Sequence, residues 1–187
     1  NESSSRQPVY VAEPLEVNEG GSVPLQWRNV YVFTDHDGRL NVSNKDVAFS
    51  LLDGPLHGTL LLHDRPTATF TYADLLARSL IYRHDGSESI TDSIQFQVEF
   101  PPSVRSFPWL ESTTYTLDVK INPVNDAPEL TVERGRESVQ IASKGRRVLS
   151  TSLLRVSDVD SSPEEVRLLV VSSSGVRLSV NNKTVEE

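Results

Sequence analysis

Polar and apolar residues alternate with a period of two along most of this chain. Such alternation is typical of a β-strand with one face in a core and the other in water. Clusters of Gly, Pro, Asp and Asn separate the alternating stretches, and residues 53–58 are the densest of these turn signals. The pattern predicts an all-β fold, with strands at residues 23–27, 46–51, 59–62, 92–98 and 114–121.

Two segments depart from the alternation. Residues 72–79 are predicted to form a short helical turn, with Thr71 as the N-cap because its hydroxyl can accept a bond from a free backbone N–H. Residues 101–109 begin with two prolines and are predicted to be an exposed loop between two strands.

An internal repeat organises the chain. The turn Asp35-His36-Asp37 recurs as Asp158-Val159-Asp160, and residues 130–135 can be aligned with residues 15–20. Nothing after Val180 matches the last strands of the first copy. The repeat predicts four segments: a flexible lead-in at 1–8, a complete repeat at 9–124, a proline-restricted linker at 125–128 and a partial second repeat at 129–187.

Composition narrows the class of protein. The chain has 187 residues, 37% of them hydrophobic and 24% charged, and a formal net charge of −8. An acidic chain gives little support for nucleic-acid binding. Cysteine is absent, which excludes disulfides, thiolate metal sites and cysteine nucleophiles. No apolar run reaches the roughly 18 residues of a membrane span, so any membrane anchor is expected outside this segment.

Several stretches in order resemble the chondroitin sulfate proteoglycan repeat, a cadherin-like module. They are EVNEGGSVPLQWRNV, VAFSLLDGPLHGTLLL, FTYADLLARSLIYRHDGSESITDSIQFQV and INPVNDAPEL. The WRNV and HDGSE details favour the branch of the neuron-glial antigen proteoglycan, with the Fraser-syndrome matrix proteins as relatives. The resemblance implies tandem cadherin-like or immunoglobulin-like β-sandwiches. Trp27, at the end of the predicted strand 23–27, is expected to be buried in the first of them.

The same resemblance implies a function without catalysis. The chain is expected to be part of a cell-surface or extracellular-matrix ectodomain that serves adhesion, matrix contact and receptor-type binding of proteins. Matrix components, growth factors or a pathogen ligand are the partners expected. Two alternatives remain open at this stage, namely a calcium-dependent microbial surface adhesin and an accessory module of a secreted enzyme.

A calcium site at the joint between repeats is also implied by the resemblance. Calcium prefers six to eight hard oxygen ligands, which carboxylates and Asn side chains supply. The alternative is that Asp35, Asp37, Asp158 and Asp160 initiate turns and that Asn125-Asp126 caps a strand end. The matching positions in this sequence are Glu19, Asp85 or Glu88, Asn125, Asp126, Asp158 and Asp160.

The sequence offers no catalytic constellation. His57 and His84 lie in turn-rich segments and are predicted to be hydrogen-bonded structural residues. The serines lack the Gly-x-Ser-x-Gly pattern of a nucleophile elbow, and no phosphate-binding glycine motif is present.

Other residues are candidates for modification or partner binding. Three Asn-x-Ser/Thr sequons, at Asn1, Asn41 and Asn182, predict N-glycosylation of an extracellular protein. Ser174-Gly175 is the one Ser-Gly dipeptide of the sequence and therefore the candidate for glycosaminoglycan attachment. Phe107 and Trp109 are candidates to anchor a partner protein from the loop that also contains Val104, and the alternative is that this loop folds back on its own module. Sulfated glycan is a further possible ligand, because arginine forks suit sulfate, and the arginines considered are Arg134, Arg136, Arg146 and Arg147.

Overall fold

The alternating segments form β-strands, and one short segment forms an α-helix, in the computed structural model of this chain. The structure describes residues 8–33, 42–104, 114–135, 138–170, 174–180 and 183–184. It divides into two compact units, Asn1–Val124 and Asn125–Glu187. The all-β prediction is confirmed.

The first unit consists of two sheets and a ribbon. One sheet has the strand order β2-β11-β10-β5-β8, the other has the order β3-β9-β6-β7, and β1 pairs with β4. Most neighbours are antiparallel, whereas β2 runs parallel to β11. The strands are β1 (Val9–Val11), β2 (Leu15–Asn18), β3 (Ser22–Pro24), β4 (Val30–Val32), β5 (Ala48–Asp53), β6 (Gly58–Leu62), β7 (Arg65–Pro66), β8 (Thr69–Thr71), β9 (Leu80–His84), β10 (Thr91–Glu99) and β11 (Thr114–Asn122).

The two sheets share one apolar core, as in a β-sandwich. Alternate residues of β10, namely Ile94, Phe96 and Val98, are buried, while the residues between them are more exposed. Phe49 of β5 is fully buried, and its ring stacks on that of Phe70 with centroids 4.8 Å apart. The core therefore draws on strands from the beginning, the middle and the end of this unit.

The predicted helix is present and shorter than expected. α1 spans Tyr72–Leu76, and the Thr71 side chain accepts a hydrogen bond from the Asp74 N–H while the Asp74 carboxylate accepts one from the Thr71 N–H. The prediction of Thr71 as N-cap is confirmed, and the two bonds form a capping box. Arg78 adopts a left-handed conformation (φ 59°), and the Ser79 N–H bonds back to the Asp74 carbonyl, which ends the helix.

Two expectations about apolar residues were wrong. Trp27 is 60% exposed, because it lies in a turn that the buried Asn29 fixes by accepting a hydrogen bond from the Gln26 N–H. Val104, expected in an exposed loop, ends a 3₁₀ turn at Pro102–Val104 and is 5% exposed. The rest of that loop, residues 105–113, lies outside the described residues.

The second unit has short strands and little burial. β12 (Glu129–Val132) pairs antiparallel with β13 (Leu154–Ser157), and β14 (Ser179–Val180) pairs with β15 (Lys183–Thr184). Among the described residues of this unit, Leu153 is the buried apolar side chain. β12 pairs with the strand that precedes Asp158, just as β1 pairs with the strand that precedes the first Asp-x-Asp turn. This pairing matches β12 to β1, whereas the sequence alignment matched it to β2.

Candidate functional site: acidic turns in each unit

In the first unit, His84 joins the two turns that carry candidate acidic ligands. Its Nδ1 accepts hydrogen bonds from the Gly20 N–H at 2.9 Å and from the Gly86 N–H at 3.2 Å. The ring hydrogen therefore belongs on Nε2, which lies 2.8 Å from the Ser89 hydroxyl. Since the His84 side chain is fully buried, the prediction of a structural, hydrogen-bonded histidine is confirmed at this position.

Glu19 and Glu88 lie together in this unit. Glu19 follows β2; its N–H donates to the Asn122 carbonyl, and its Oε2 accepts a 3.1 Å bond from the Val124 N–H. One carboxylate oxygen of Glu19 and one of Glu88 lie within 4.8 Å of each other. Two carboxylates at this separation repel each other unless a cation or proton lies nearby.

Asp85, the alternative to Glu88, forms hydrogen bonds within its own turn. Its Oδ1 accepts a 2.9 Å hydrogen bond from the Ser87 N–H, and it lies 3.6 Å from Nε2 of His84. Hydrogen bonds from the side chain and backbone of Ser87 lower the pKa of Asp85. Asp85 is thus used to shape its own turn, and among the described residues it is Glu88 whose carboxylate reaches Glu19.

The four candidates of the second unit also form one network. Oδ1 of Asp158 accepts bonds from the backbone N–H groups of Asp160 and Ser161, at 3.0 and 3.2 Å. The Asp160 carboxylate accepts a hydrogen bond from the Asp126 N–H, and the Asn125 side chain donates to the Asp126 carbonyl. The Asp-x-Asp turn and the Asn-Asp segment are therefore joined, although 34 residues separate Asp126 from Asp160.

Sequence reasoning missed Asp92, which organises one end of the first unit. Its carboxylate accepts bonds from the N–H groups of Leu56, His57 and Ser93, at 2.8–3.0 Å, and from the Tyr82 hydroxyl at 2.8 Å. Burial raises the pKa of Asp92, but these hydrogen bonds together outweigh burial and lower it. The available signal was the turn at residues 53–58, whose free N–H groups require an acceptor.

The remaining candidates do not assemble into a described site. Arg134, Arg146 and Arg147 are exposed residues of the second unit. His57 lies with its Nδ1 3.4 Å from the Ser87 hydroxyl, so it too is held by its own unit. Six candidates lie outside the described residues, namely Asn1, Asn41, Phe107, Trp109, Arg136 and Asn182.

Comparison with known proteins gives the same family as the sequence motifs. The Cadherin-like family model matches residues 8–100. Chondroitin sulfate proteoglycan 4 of Homo sapiens is 34% identical over 172 residues, covering 89% of this chain and 7% of that protein. The extracellular matrix organizing protein FRAS1 of Homo sapiens is 30% identical over 197 residues, covering 99% of the chain and 4% of that protein.

A third relative lies outside the mammals. Extracellular matrix protein 3 of Lytechinus variegatus is 29% identical over 148 residues, which cover 75% of the chain and 5% of that protein. The chain thus spans a small part of each of these relatives. Within the residues that the structure describes, no helix is long and apolar enough to cross a membrane.

These relatives are matrix proteins and a proteoglycan, and the predicted location, at the outer side of the plasma membrane or in the extracellular matrix, is confirmed. The family motifs of the sequence, the β-sandwich of the first unit and the matched family model agree with one another. The chain belongs to the cadherin-like repeat family that also includes segments of the chondroitin sulfate proteoglycans and the FRAS1-related matrix proteins.

Proposed function

We propose that this chain is a non-enzymatic module of a proteoglycan-type ectodomain, which serves cell adhesion and matrix contact by binding extracellular proteins. The similarity over 89% of the chain to chondroitin sulfate proteoglycan 4 carries this proposal. The geometry of the first unit is consistent with it, because His57, His84, Ser87 and Ser89 bond to one another or to backbone groups of turns.

The two alternatives, a microbial adhesin and an accessory module of a secreted enzyme, differ from the ectodomain module in the relatives that each would be expected to have. A microbial adhesin would be expected among microbial relatives, whereas the relatives described above come from Homo sapiens and Lytechinus variegatus. An accessory module of a secreted enzyme would need relatives with an enzymatic name, and those three names contain none. Both observations favour the ectodomain module.

The experiment is a binding and adhesion assay on the 187-residue chain. The purified chain is immobilised, and purified matrix proteins and growth factors are passed over it, with an unrelated β-sandwich of similar acidity as the control surface. We expect saturable binding of at least one matrix protein and attachment of cells to the coated surface. Absence of both, together with turnover of any tested glycan or peptide substrate, would contradict the proposal.

We propose calcium as the ligand of the acidic turns, and the proximity of Glu19 and Glu88 carries this second proposal. The donor set fits a hard cation, since all the candidates are carboxylates or amide oxygens. Each carboxylate that accepts a backbone N–H keeps further lone pairs for an ion. A bound calcium would also remove the repulsion between Glu19 and Glu88.

Thermal unfolding in calcium and in excess chelator tests this proposal. Free calcium at about 100 times its dissociation constant stabilises the folded state by about 2.7 kcal/mol. The midpoint temperature of unfolding should therefore rise by several degrees. Glu19→Gln and Glu88→Gln should each reduce that rise, while Glu99→Gln, an exposed residue at the end of β10, should not. An identical midpoint in calcium and chelator would exclude a stabilising ion.

The second unit supplies an independent arm of the same experiment. The family resemblance assigns calcium ligands to Asp158 and Asp160 as well, so Asp160→Asn should also reduce the calcium response. Glu164→Gln, at an exposed position of the same unit, is the matched control. A calcium response that Asp160→Asn leaves unchanged would restrict the ion to the first unit.

A further inference from the structure

His84 contacts the residue that follows each of the two paired carboxylates. Its Nδ1 accepts a 2.9 Å hydrogen bond from the N–H of Gly20, the residue after Glu19. Its Nε2 lies 2.8 Å from the hydroxyl of Ser89, the residue after Glu88. One imidazole ring therefore bonds to both of the segments that carry these carboxylates.

The ring is itself held in place by the fold. The side chain of His84 is fully buried, and its backbone lies in β9, opposite Gly58 of β6. The His84 N–H donates to the Gly21 carbonyl at 2.9 Å, so the backbone and the side chain of His84 both bond to the segment after Glu19. Because a buried ring on a paired strand has little freedom to move, it fixes the positions of the groups that bond to it.

The segment that carries Glu88 is bonded to the same ring twice. Nδ1 of His84 accepts a second hydrogen bond, at 3.2 Å, from the Gly86 N–H. The Ser89 hydroxyl, which contacts Nε2, also lies 3.0 Å from the Ser87 hydroxyl. Glu88 therefore lies in a short segment whose two ends are both bonded to His84.

The two carboxylates need such an attachment to stay together. One oxygen of Glu19 and one of Glu88 lie within 4.8 Å of each other, and two like charges at this distance repel each other. If the two segments were free to move apart, the carboxylates would have to be brought together again whenever an ion binds. Holding the ligands in place before the ion arrives removes that cost and raises the affinity.

We propose that His84 is a positioning residue, which sets the calcium affinity of the Glu19 and Glu88 pair by holding the segments that carry them. This inference rests on the calcium site proposed above and adds the residue on which the spacing of its carboxylates depends. His84 itself is not a ligand, because both of its ring nitrogens take part in hydrogen bonds and calcium prefers oxygen.

Calcium titration of the 187-residue chain tests this role, with the amide signals of Gly20 and Ser89 followed by NMR as local reporters. In His84→Leu we expect the calcium dissociation constant given by these signals to rise about tenfold or more, as is typical when a residue that orients metal ligands is removed. His84→Asn keeps an acceptor near the position of Nδ1 and should recover part of the affinity. Such a rescue would show that the hydrogen bonds, and not the volume of the ring, set the affinity.

Leu75→Ala separates positioning from stability. Leu75 is fully buried in α1, which carries neither carboxylate, so this substitution destabilises the first unit through its core. The titrations are made at a temperature at which circular dichroism shows every variant to be folded. Leu75→Ala should then bind calcium within about twofold of the native chain. Equal weakening by Leu75→Ala and His84→Leu would overturn the proposal, since the affinity would then follow stability alone.

A double-mutant cycle with Glu88→Gln gives a second test. If His84 acts through the pair of carboxylates, Glu88→Gln should weaken calcium binding less in His84→Leu than in the native chain. The same cycle is made with His84→Asn should the leucine variant fail to fold. Independent, additive effects on the affinity would contradict the positioning role.

The titrations also distinguish this inference from the calcium proposal on which it rests. Saturable shifts that Glu88→Gln weakens and His84→Leu leaves unchanged would overturn the role of His84 and retain the calcium site. Absence of any calcium-dependent shift at Gly20 and Ser89 in the native chain would overturn both.

Discussion

The Tyr82 hydroxyl donates a 2.8 Å hydrogen bond to Oδ2 of Asp92, and this bond ties β9 of one sheet to β10 of the other. The same carboxylate accepts the N–H groups of Leu56 and His57, which lie in the turn before β6. Burial first, and then the hydrogen bond to Asp92, raise the pKa of Tyr82. One acidic residue therefore fixes two strands and a turn.

Asp92→Asn should lower the free energy of unfolding of the first unit by about 1–3 kcal/mol. The amide keeps a single oxygen, and its NH₂ group would face backbone donors that the carboxylate now satisfies. Urea unfolding, followed by the fluorescence of the two tryptophans, measures the effect. Asp118→Asn, at an exposed position of β11, is the control and should change stability by less than about 0.5 kcal/mol. Equal effects of the two substitutions would contradict the role given to Asp92.

Acid should destabilise the first unit in part through Asp92. Because its pKa is lower in the folded chain than in the unfolded chain, the carboxylate contributes stability above the unfolded value of about 4. That contribution is lost as the pH falls through the folded pKa. The difference in unfolding free energy between the native chain and Asp92→Asn should be constant at pH 5–7 and narrow below about pH 4. A difference that does not change with pH would exclude this linkage.

His84→Leu should destabilise the first unit, because it leaves two backbone N–H groups without their acceptor. Leucine fills a similar volume but accepts no bond from the N–H groups of Gly20 and Gly86. We expect a loss of about 2–4 kcal/mol in unfolding free energy and faster hydrogen exchange at these two amides. His63→Asn is the matched control, because His63 is exposed and its positive φ of 50° suits Asn. Unchanged exchange at Gly20 in His84→Leu would contradict the proposed role.

Gly58→Ala should destabilise the hairpin end of the first unit by about 1–3 kcal/mol. A Cβ at this position would overlap ring atoms of Tyr82, the residue that also bonds Asp92. Gly20→Ala separates this steric effect from backbone strain, since Gly20 has a φ of 65° and nothing within 4 Å of its Cβ position. Thermal melting of the two variants gives the comparison, and the shift of the Tyr82 ring signals should be confined to Gly58→Ala.

Phe49→Ala should be among the most destabilising single changes, at about 3–5 kcal/mol. Its ring is fully buried and contacts Phe70 and Phe96, with centroids 4.8 and 5.5 Å away. Trp27→Ala removes a larger side chain but should cost less than about 1 kcal/mol, because Trp27 is 60% exposed. Chemical denaturation of both variants ranks them, and the reverse order would show that Trp27 packs into the core.

Sequence patterns predicted the strands and the start of the helix, because these features depend on residues that are neighbours in the chain. The alternating residues 92–98 and 114–121 form β10 and β11. β10 extends one residue further at each end, and β11 extends one residue further at its C-terminal end. Thr71 predicted the start of α1, because a threonine hydroxyl can accept a bond from a free N–H of the first helical turn. The end of the helix was missed, because the left-handed conformation of Arg78 is unusual for that residue type.

The sequence predicted which residues could serve as ligands, but it did not predict which group each of their carboxylates contacts. The sequence offered Asp85 and Glu88 as alternatives, and the structure brings Glu88 to Glu19 while Asp85 bonds the Ser87 N–H. Asp92 was missed because its partners Leu56 and His57 lie 36 and 35 residues away. Trp27 was misjudged because periodicity gives the spacing of apolar residues and not the direction in which a turn places them.

The sequence by itself determined the strands, the helical turn and the family, because alternation, capping and turn residues act over a few neighbouring positions. Tertiary structure decided which turns meet at His84 and which carboxylate caps the turn before β6. Those outcomes depend on hydrogen bonds and packing between residues far apart in the chain, such as Gly20 and His84, 64 positions apart. Val9 and Leu130 carry similar side chains in antiparallel strand pairs, yet Val9 is 2% exposed and Leu130 is 55% exposed, because burial depends on what the fold packs over a strand and not on the residues of the strand itself.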